Sequence, residues 1–185
     1  MSALVRSRRQ RGVSLLEVLV TLVIIAFGLL GLAALQVRLQ AAEMEAYQRS
    51  QALLLLNDMA SRIATNRNFA VDYVTGTTQG AGAACVTGGT ATADRDLGEW
   101  CLALQGAGET TDGGATQRGG VVGGRGCIER VGQDYLVTVA WQGLTPIAAP
   151  PAGVACGADQ YDDGRNCLAD ACRRVVSTLV RIATL

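Results

Sequence analysis

Twenty consecutive residues, Val18–Val37, carry no charge, and the twelve residues that open the chain hold four arginines (Arg6, Arg8, Arg9, Arg11) and no acid. As a helix rising about 1.5 Å per residue, that run spans about 30 Å, the thickness of a bilayer's hydrocarbon core. A cleaved secretory signal has an apolar region of only about 7–15 residues and an A-x-A-like site after it. This run is longer, and no such site follows. Basic flanks stay in the cytoplasm, so everything after Val37 is sent across the membrane. The expected protein is membrane-anchored and exported.

Composition removes several kinds of chemistry. The chain has 185 residues, 16 acidic and 16 basic groups, and no histidine. All 16 basic groups are arginines. Without histidine there is no Ser-His-Asp triad and no His-ligated metal. Without lysine there is neither a P-loop lysine nor a Schiff base. A net charge of zero is not that of a general nucleic-acid binder. The expectation is a non-enzymatic protein with no cofactor, no metal and no nucleic-acid partner.

Four regions follow along the chain. Residues 1–12 form a leader. Residues 13 to about 66 read as one long helix without proline, whose first part, to residue 38, spans the membrane. In its second half Leu39, Ala42, Ala46, Leu53, Leu56, Ala60 and Ile63 recur at three- and four-residue steps, an apolar face that needs a partner layer. Asn66-Arg67-Asn68 is the expected stop. Residues 76–132 hold 16 glycines in 57 positions and few large apolar side chains, so they read as loops with one short helix or turn at Leu97–Gln105. Cys127–Val131, a turn at Gly132–Asp134 and Tyr135–Gln142 then read as a β-hairpin, with Tyr135, Val137, Val139 and Trp141 on one face. Arg173–Ile182 reads as a further strand. The fold expected is α+β, with the second half of the long helix laid on a small antiparallel sheet and residues 39–185 forming an exported globular domain.

Cys85, Cys101, Cys127, Cys156, Cys167 and Cys172 all lie on the exported side. An even number in an oxidising compartment reads as three disulfides. A metal site is the weaker reading, since there is no C-x-x-C pair and no histidine. Spacing alone leaves the connectivity open; the expected pairing is Cys85–Cys101, Cys127–Cys172 and Cys156–Cys167. The first and third close local loops, and the second ties the hairpin to the last strand.

The functional signal is Arg11-Gly12-Val13-Ser14-Leu15-Leu16-Glu17. A carboxylate inside a membrane helix costs about 2.5–3.5 kcal/mol on insertion scales, so Glu17 is expected to have a function. A cut after Gly12 would give Val13 a new α-amino group, an intramembrane cation for Glu17 to pair with. This segment resembles the class III signal peptide of type IV pilins and type II secretion pseudopilins: a short basic leader ending in glycine, a hydrophobic first mature residue, and glutamate as the fifth. Val13 stands where the family usually has phenylalanine. Gly28-Leu29-Leu30-Gly31-Leu32-Ala33-Ala34-Leu35-Gln36 further resembles the V-type (PilV-like) minor pilins.

The resemblance implies a type IV pilin-like fold and cleavage between Gly12 and Val13 by a prepilin peptidase, with methylation of Val13. It further implies a single-pass inner-membrane precursor with a periplasmic C-terminus, and pairing of Glu17 with a neighbouring amine in the filament. The partners it implies are other minor pilins, the major pilin, an inner-membrane assembly platform and membrane lipid. The role implied is a minor pilin that primes assembly at the pilus tip. A minor pseudopilin of a type II secretion system shares these features, and a tip adhesin is a third reading, though the loops offer few aromatic anchors.

Several residues have plainer readings. Glu17 could cap its own helix. Leu39, Leu53 and Ile63 read as core beneath the sheet, and Trp100 and Trp141 as packing residues. Asp159, Asp162, Asp163 and Gly164 lack the D-x-D-x-D-G spacing of a calcium loop and read as a solvated turn. Arg173 and Arg174 could meet an acidic partner or guard an edge strand.

Overall fold

The computed structural model describes residues 14–107, 110–111, 116–117 and 120–182. The elements in order are helix α1 (Leu15–Thr65), a 3₁₀ helix (Arg67–Tyr73), β1 (Gln79–Gly80), α2 (Thr92–Gln105), β2 (Thr110–Thr111), β3 (Thr116–Gln117), β4 (Arg125–Val131), β5 (Asp134–Gln142) and β6 (Arg173–Val180). One antiparallel sheet has the order β1-β4-β5-β6, and β2 pairs with β3 alone. This is the α+β type IV pilin-like architecture that the sequence led us to expect. The chain divides into two compact units, Met1–Ala42 and Glu43–Leu185.

In the first unit α1 is apolar and uncovered, with Leu19, Leu22, Ile24, Phe27 and Leu30 all more than 60% exposed. It is long and apolar enough to cross a bilayer.

In the second unit α1 turns Gln48, Ala52, Leu56, Met59 and Ile63 inward, at steps of three and four residues. Ala52, Leu56, Met59 and Ile63 meet Tyr73 of the 3₁₀ helix, Trp100 and Leu104 of α2, and Ile128, Val137 and Val139 of the sheet, all buried. Two expected core residues are not there: Leu53 is 40% exposed and Leu39, in the first unit, 54%. Leu53-Leu54-Leu55-Leu56 is apolar all round the helix, so periodicity could not select the inward face.

Trp100 closes this core. Its indole Nε1 donates to the Leu55 carbonyl of α1 at 2.9 Å. The far edge of its ring lies over Gly126 of β4, where a Cβ would meet Trp100 Cη2 at 2.2 Å. No side chain fits there. Gly106 ends α2 in the left-handed region (φ 83°), and its N–H and that of Ala107 return to the Ala103 and Leu102 carbonyls.

Both faces of β5 are buried. Tyr135, Val137, Val139 and Trp141 face the helices, while Ala140 on the opposite face meets Cys156 and Tyr161 from the segment between β5 and β6. Arg173 holds that segment in place. Its Nη1 donates to the Val154 and Cys156 carbonyls at 2.6 and 3.1 Å, and its Nη2 pairs with Asp170 at 2.9 Å. Neither Arg173 nor Arg174 is a free surface charge, because Arg174 pairs with Glu45 of α1 at 3.1 Å and donates to the Thr145 carbonyl.

The disulfides are Cys85–Cys101, Cys127–Cys156 and Cys167–Cys172. The first is the expected pair; the pairs Cys127–Cys172 and Cys156–Cys167 are not formed. Cys127 lies on β4 and Cys172 immediately precedes β6, with β5 between those strands. Two strand spacings are about 10 Å, beyond the roughly 7 Å that a disulfide spans between Cα atoms. The segment after β5 instead folds across the outer face and brings Cys156 to within 5.8 Å of Cys127, Cα to Cα.

A polar cluster, partly exposed, joins the helices. Arg62 of α1 pairs with Asp58, Asp96 and Glu99 at 3.0, 2.8 and 2.7 Å. Asp96 also accepts the Tyr73 hydroxyl. Burial, and then the Asp96 carboxylate, push the Tyr73 phenol up to about 12 from its ordinary 10.0.

Three outcomes are expected of this fold. Non-reducing peptide mapping yields the three consecutive pairs, and a peptide linking Cys127 to Cys172 contradicts the cross-sheet argument. Gly126→Ala lowers stability by about 1–3 kcal/mol in thermal unfolding, because Trp100 has no room to retreat. The neutral Tyr73 phenol contributes stability that is fully present below pH 10.0 and is lost as pH rises through about 12. Tyr73→Phe removes that alkaline loss, at the cost of one of Asp96's two partners, and a pH series of melting curves separates the two effects.

Candidate functional site

The head of α1 is built by Ser14. Its carbonyl accepts from the Glu17 and Val18 amides at 3.0 and 3.2 Å, and its Oγ accepts from the Leu16 amide at 3.2 Å. That side-chain bond satisfies one of the amides a helix start leaves open. Among the described residues the cap is therefore made by Ser14, and the Glu17 side chain makes no capping bond.

Glu17 lies in the first turn of α1, where the helix dipole favours a negative charge. Its neighbours Leu15, Leu16, Val18, Leu19 and Val20 are all exposed and all apolar. Thr21, the next polar side chain, returns its hydroxyl to the Val18 carbonyl at 2.8 Å and so presents no open donor. The carboxylate is the one ionisable group of this apolar surface up to Arg38. Such a group has strong reason to find a cation once water is excluded. The cation among the described residues of the first unit, Arg38, lies about 30 Å further along the same helix. Gly12 and Val13, the expected cleavage and methylation residues, lie outside the described residues.

The other residues singled out from the sequence are structural. Asp162 accepts the Ala169 and Asp170 amides at 3.0 Å each, and Asp163 accepts those of Arg165 and Cys167 at 2.8 and 2.9 Å. These amide bonds hold the Asp163 carboxyl below its usual range. Both carboxylates are occupied in forming the turn, and no group of His, Cys, Asp or Glu suited to a metal occurs among the described residues. Trp100 and Trp141 are both buried packing residues.

Sequence reasoning did not find Arg125 and Tyr161. The Arg125 guanidinium lies 5.0 Å from the Tyr161 ring centroid, and the Tyr161 hydroxyl donates to the Gly123 carbonyl at 2.9 Å. The two residues lie 36 positions apart in an irregular, small-residue context, which gives no periodic signal.

Comparison with known families bears on the same elements. Residues 7–33, which include Gly12, Val13 and Glu17, match the prokaryotic N-terminal methylation motif. Residues 34–105, from the end of the apolar run through α2, match type IV pilin Tt1218. No curated protein and no solved structure matches the chain. The two matches are contiguous, and they fall on an apolar N-terminal helix with a glutamate at its head and on the start of an α+β domain with a four-stranded sheet: the chain belongs to the type IV pilins.

Proposed function

We propose that this pilin is a V-type minor pilin, built into a type IV pilus as part of the complex that primes assembly and sits at the tip. The observation that carries the reading is the spacing of Gly12, Val13 and Glu17 at the head of an uncovered apolar helix. The type IV pilins are structural proteins, and this chain's role is to be processed and assembled.

In this reading residues 1–12 are a leader, 13–38 the membrane and filament-core helix, and 39–185 the periplasmic domain. A prepilin peptidase removes the leader after Gly12, and the new amine of Val13 is methylated. Removal takes four arginines with it, so the mature charge is 12 − 16 = −4. The mature chain waits in the inner membrane with its C-terminus in the periplasm. An assembly platform then draws it in among other minor pilins and the major pilin. There the Glu17 carboxylate pairs with the terminal amine of a neighbour. An intramembrane ion pair has one favourable register, so the pair fixes how far one helix slides past the next. The disulfide-stapled domain and its glycine-rich loops support a place on an exposed filament over a place in a secretion system.

Mass spectrometry of the membrane form is expected to find a chain beginning at N-methylated Val13; an intact N-terminus in cells with active peptidase contradicts the reading. Glu17→Leu is expected to leave cleavage near normal, because the residue lies beyond the cut. Its recovery in sheared filaments should fall at least about tenfold, equivalent to about 1.4 kcal/mol of lost subunit interaction. Normal recovery removes Glu17 from assembly.

A further inference from the structure

The two edges of the main sheet are unlike. β1 is two residues long, so that edge is short. β6 runs for eight residues, pairs with β5 on one side and, among the described residues, with no strand on the other. Within it Val175-Val176-Ser177-Thr178-Leu179-Val180 contains no charge and no proline, the devices that ordinarily blunt an exposed edge.

The register shows which backbone groups are open. Gly143 N–H donates to the Cys172 carbonyl at 2.7 Å, one step outside the pair Gln142–Arg173, so that pair is a non-hydrogen-bonded one. By alternation Arg174, Val176, Thr178 and Val180 exchange their bonds with β5. Arg173, Val175, Ser177 and Leu179 point outward. Arg173 N–H is already held by the Asp170 carbonyl at 2.9 Å, which leaves the N–H and C=O groups of Val175, Ser177 and Leu179 for a partner.

Charge identifies the partner. Beside Val175 a cavity of about 350 Å³ is lined by Arg49, Trp141 and Ile147 together with Glu45, Arg173 and Arg174, whose charges are already paired, Glu45 with Arg174 and Arg173 with Asp170. Arg49 is exposed and makes no ion pair among the described residues. At the other end Arg181 is 82% exposed and stands 3.9 Å from Asp134. Residues 173–182 contain no acid, so a second copy paired antiparallel about Ser177 would bring no counter-charge to Arg49 or Arg181.

We propose that the β6 edge takes up an extended segment of another protein, uncharged in its middle and acidic at its ends, with one acidic residue entering the cavity beside Arg49. This proposal is independent of the tip-priming role.

The test uses the full chain in detergent micelles and a synthetic peptide of alternating threonine and valine with a pair of glutamates at each end. Bound peptide is expected to slow amide hydrogen exchange at Val175, Ser177 and Leu179 at least about tenfold, with little change at Val176, Thr178 and Val180. The same peptide N-methylated at alternate amides should not bind. One ending in lysines should bind at least about tenfold more weakly, and the double variant R49E/R181E should reverse that preference. Ser177→Pro removes an outward N–H and no ladder bond, so it should abolish binding while the disulfide map stays unchanged. The proposal is overturned if the acidic peptide protects none of the three amides, if both charged peptides bind equally, or if a peptide of residues 173–182 binds most tightly.

Discussion

The Trp100 indole is the contact through which the layers of the Glu43–Leu185 unit meet. It takes a carbonyl from α1, belongs to α2, and sets the outer edge of its ring over Gly126 of β4. An aromatic ring of this size buries enough surface to rank among the largest single contributions to a small core. Its position also explains features that otherwise look unrelated. Gly126 is a glycine in mid-strand because the ring needs its space. Leu104, one turn further along α2, fills the same gap from the side. Arg62, Asp96 and Tyr73 then tie α1 to α2 and the 3₁₀ helix at the edge of that contact.

The rest of the unit has too little apolar material to follow this example. The outer face of β5 is covered by Cys156 and Tyr161, carried on a segment rich in glycine, alanine and proline. What holds that cover is Arg173, with two carbonyls and Asp170, together with the Cys127–Cys156 bridge. A closed loop of this length stabilises by about 2–4 kcal/mol. A buried arginine held by two carbonyls and a carboxylate costs several kcal/mol to strand, so the ion pair and the bridge work as one clasp.

How far all this could be read from residues depends on how local the governing constraint is. Gly12, Val13 and Glu17 stand in a pattern set by spacing alone, and the methylation-motif match covers them. The β4–β5 hairpin is legible because alternation and the Gly132 turn are short-range signals. The α2 start is less so: its first turns, Thr92–Asp96, are polar, and the apolar signal begins only at Leu97, five residues inside the helix. The inward face of α1 is hidden by its run of leucines. The disulfide pairing depends on strand order, a property no spacing encodes, and the outer cover of β5 depends on a segment whose side chains are too small to show a pattern.

The connectivity has a consequence for how the protein is made. Each cysteine is joined to the next in sequence, and no bridge encloses or interleaves with another. Synthesis delivers the chain from its N-terminus, so an oxidase that joins each newly emerged thiol to the one waiting before it reaches the native set without error. The chain between Cys85 and Cys101 is thereby closed before any later cysteine exists. Pairing in order of emergence leaves no non-native bridge to rearrange.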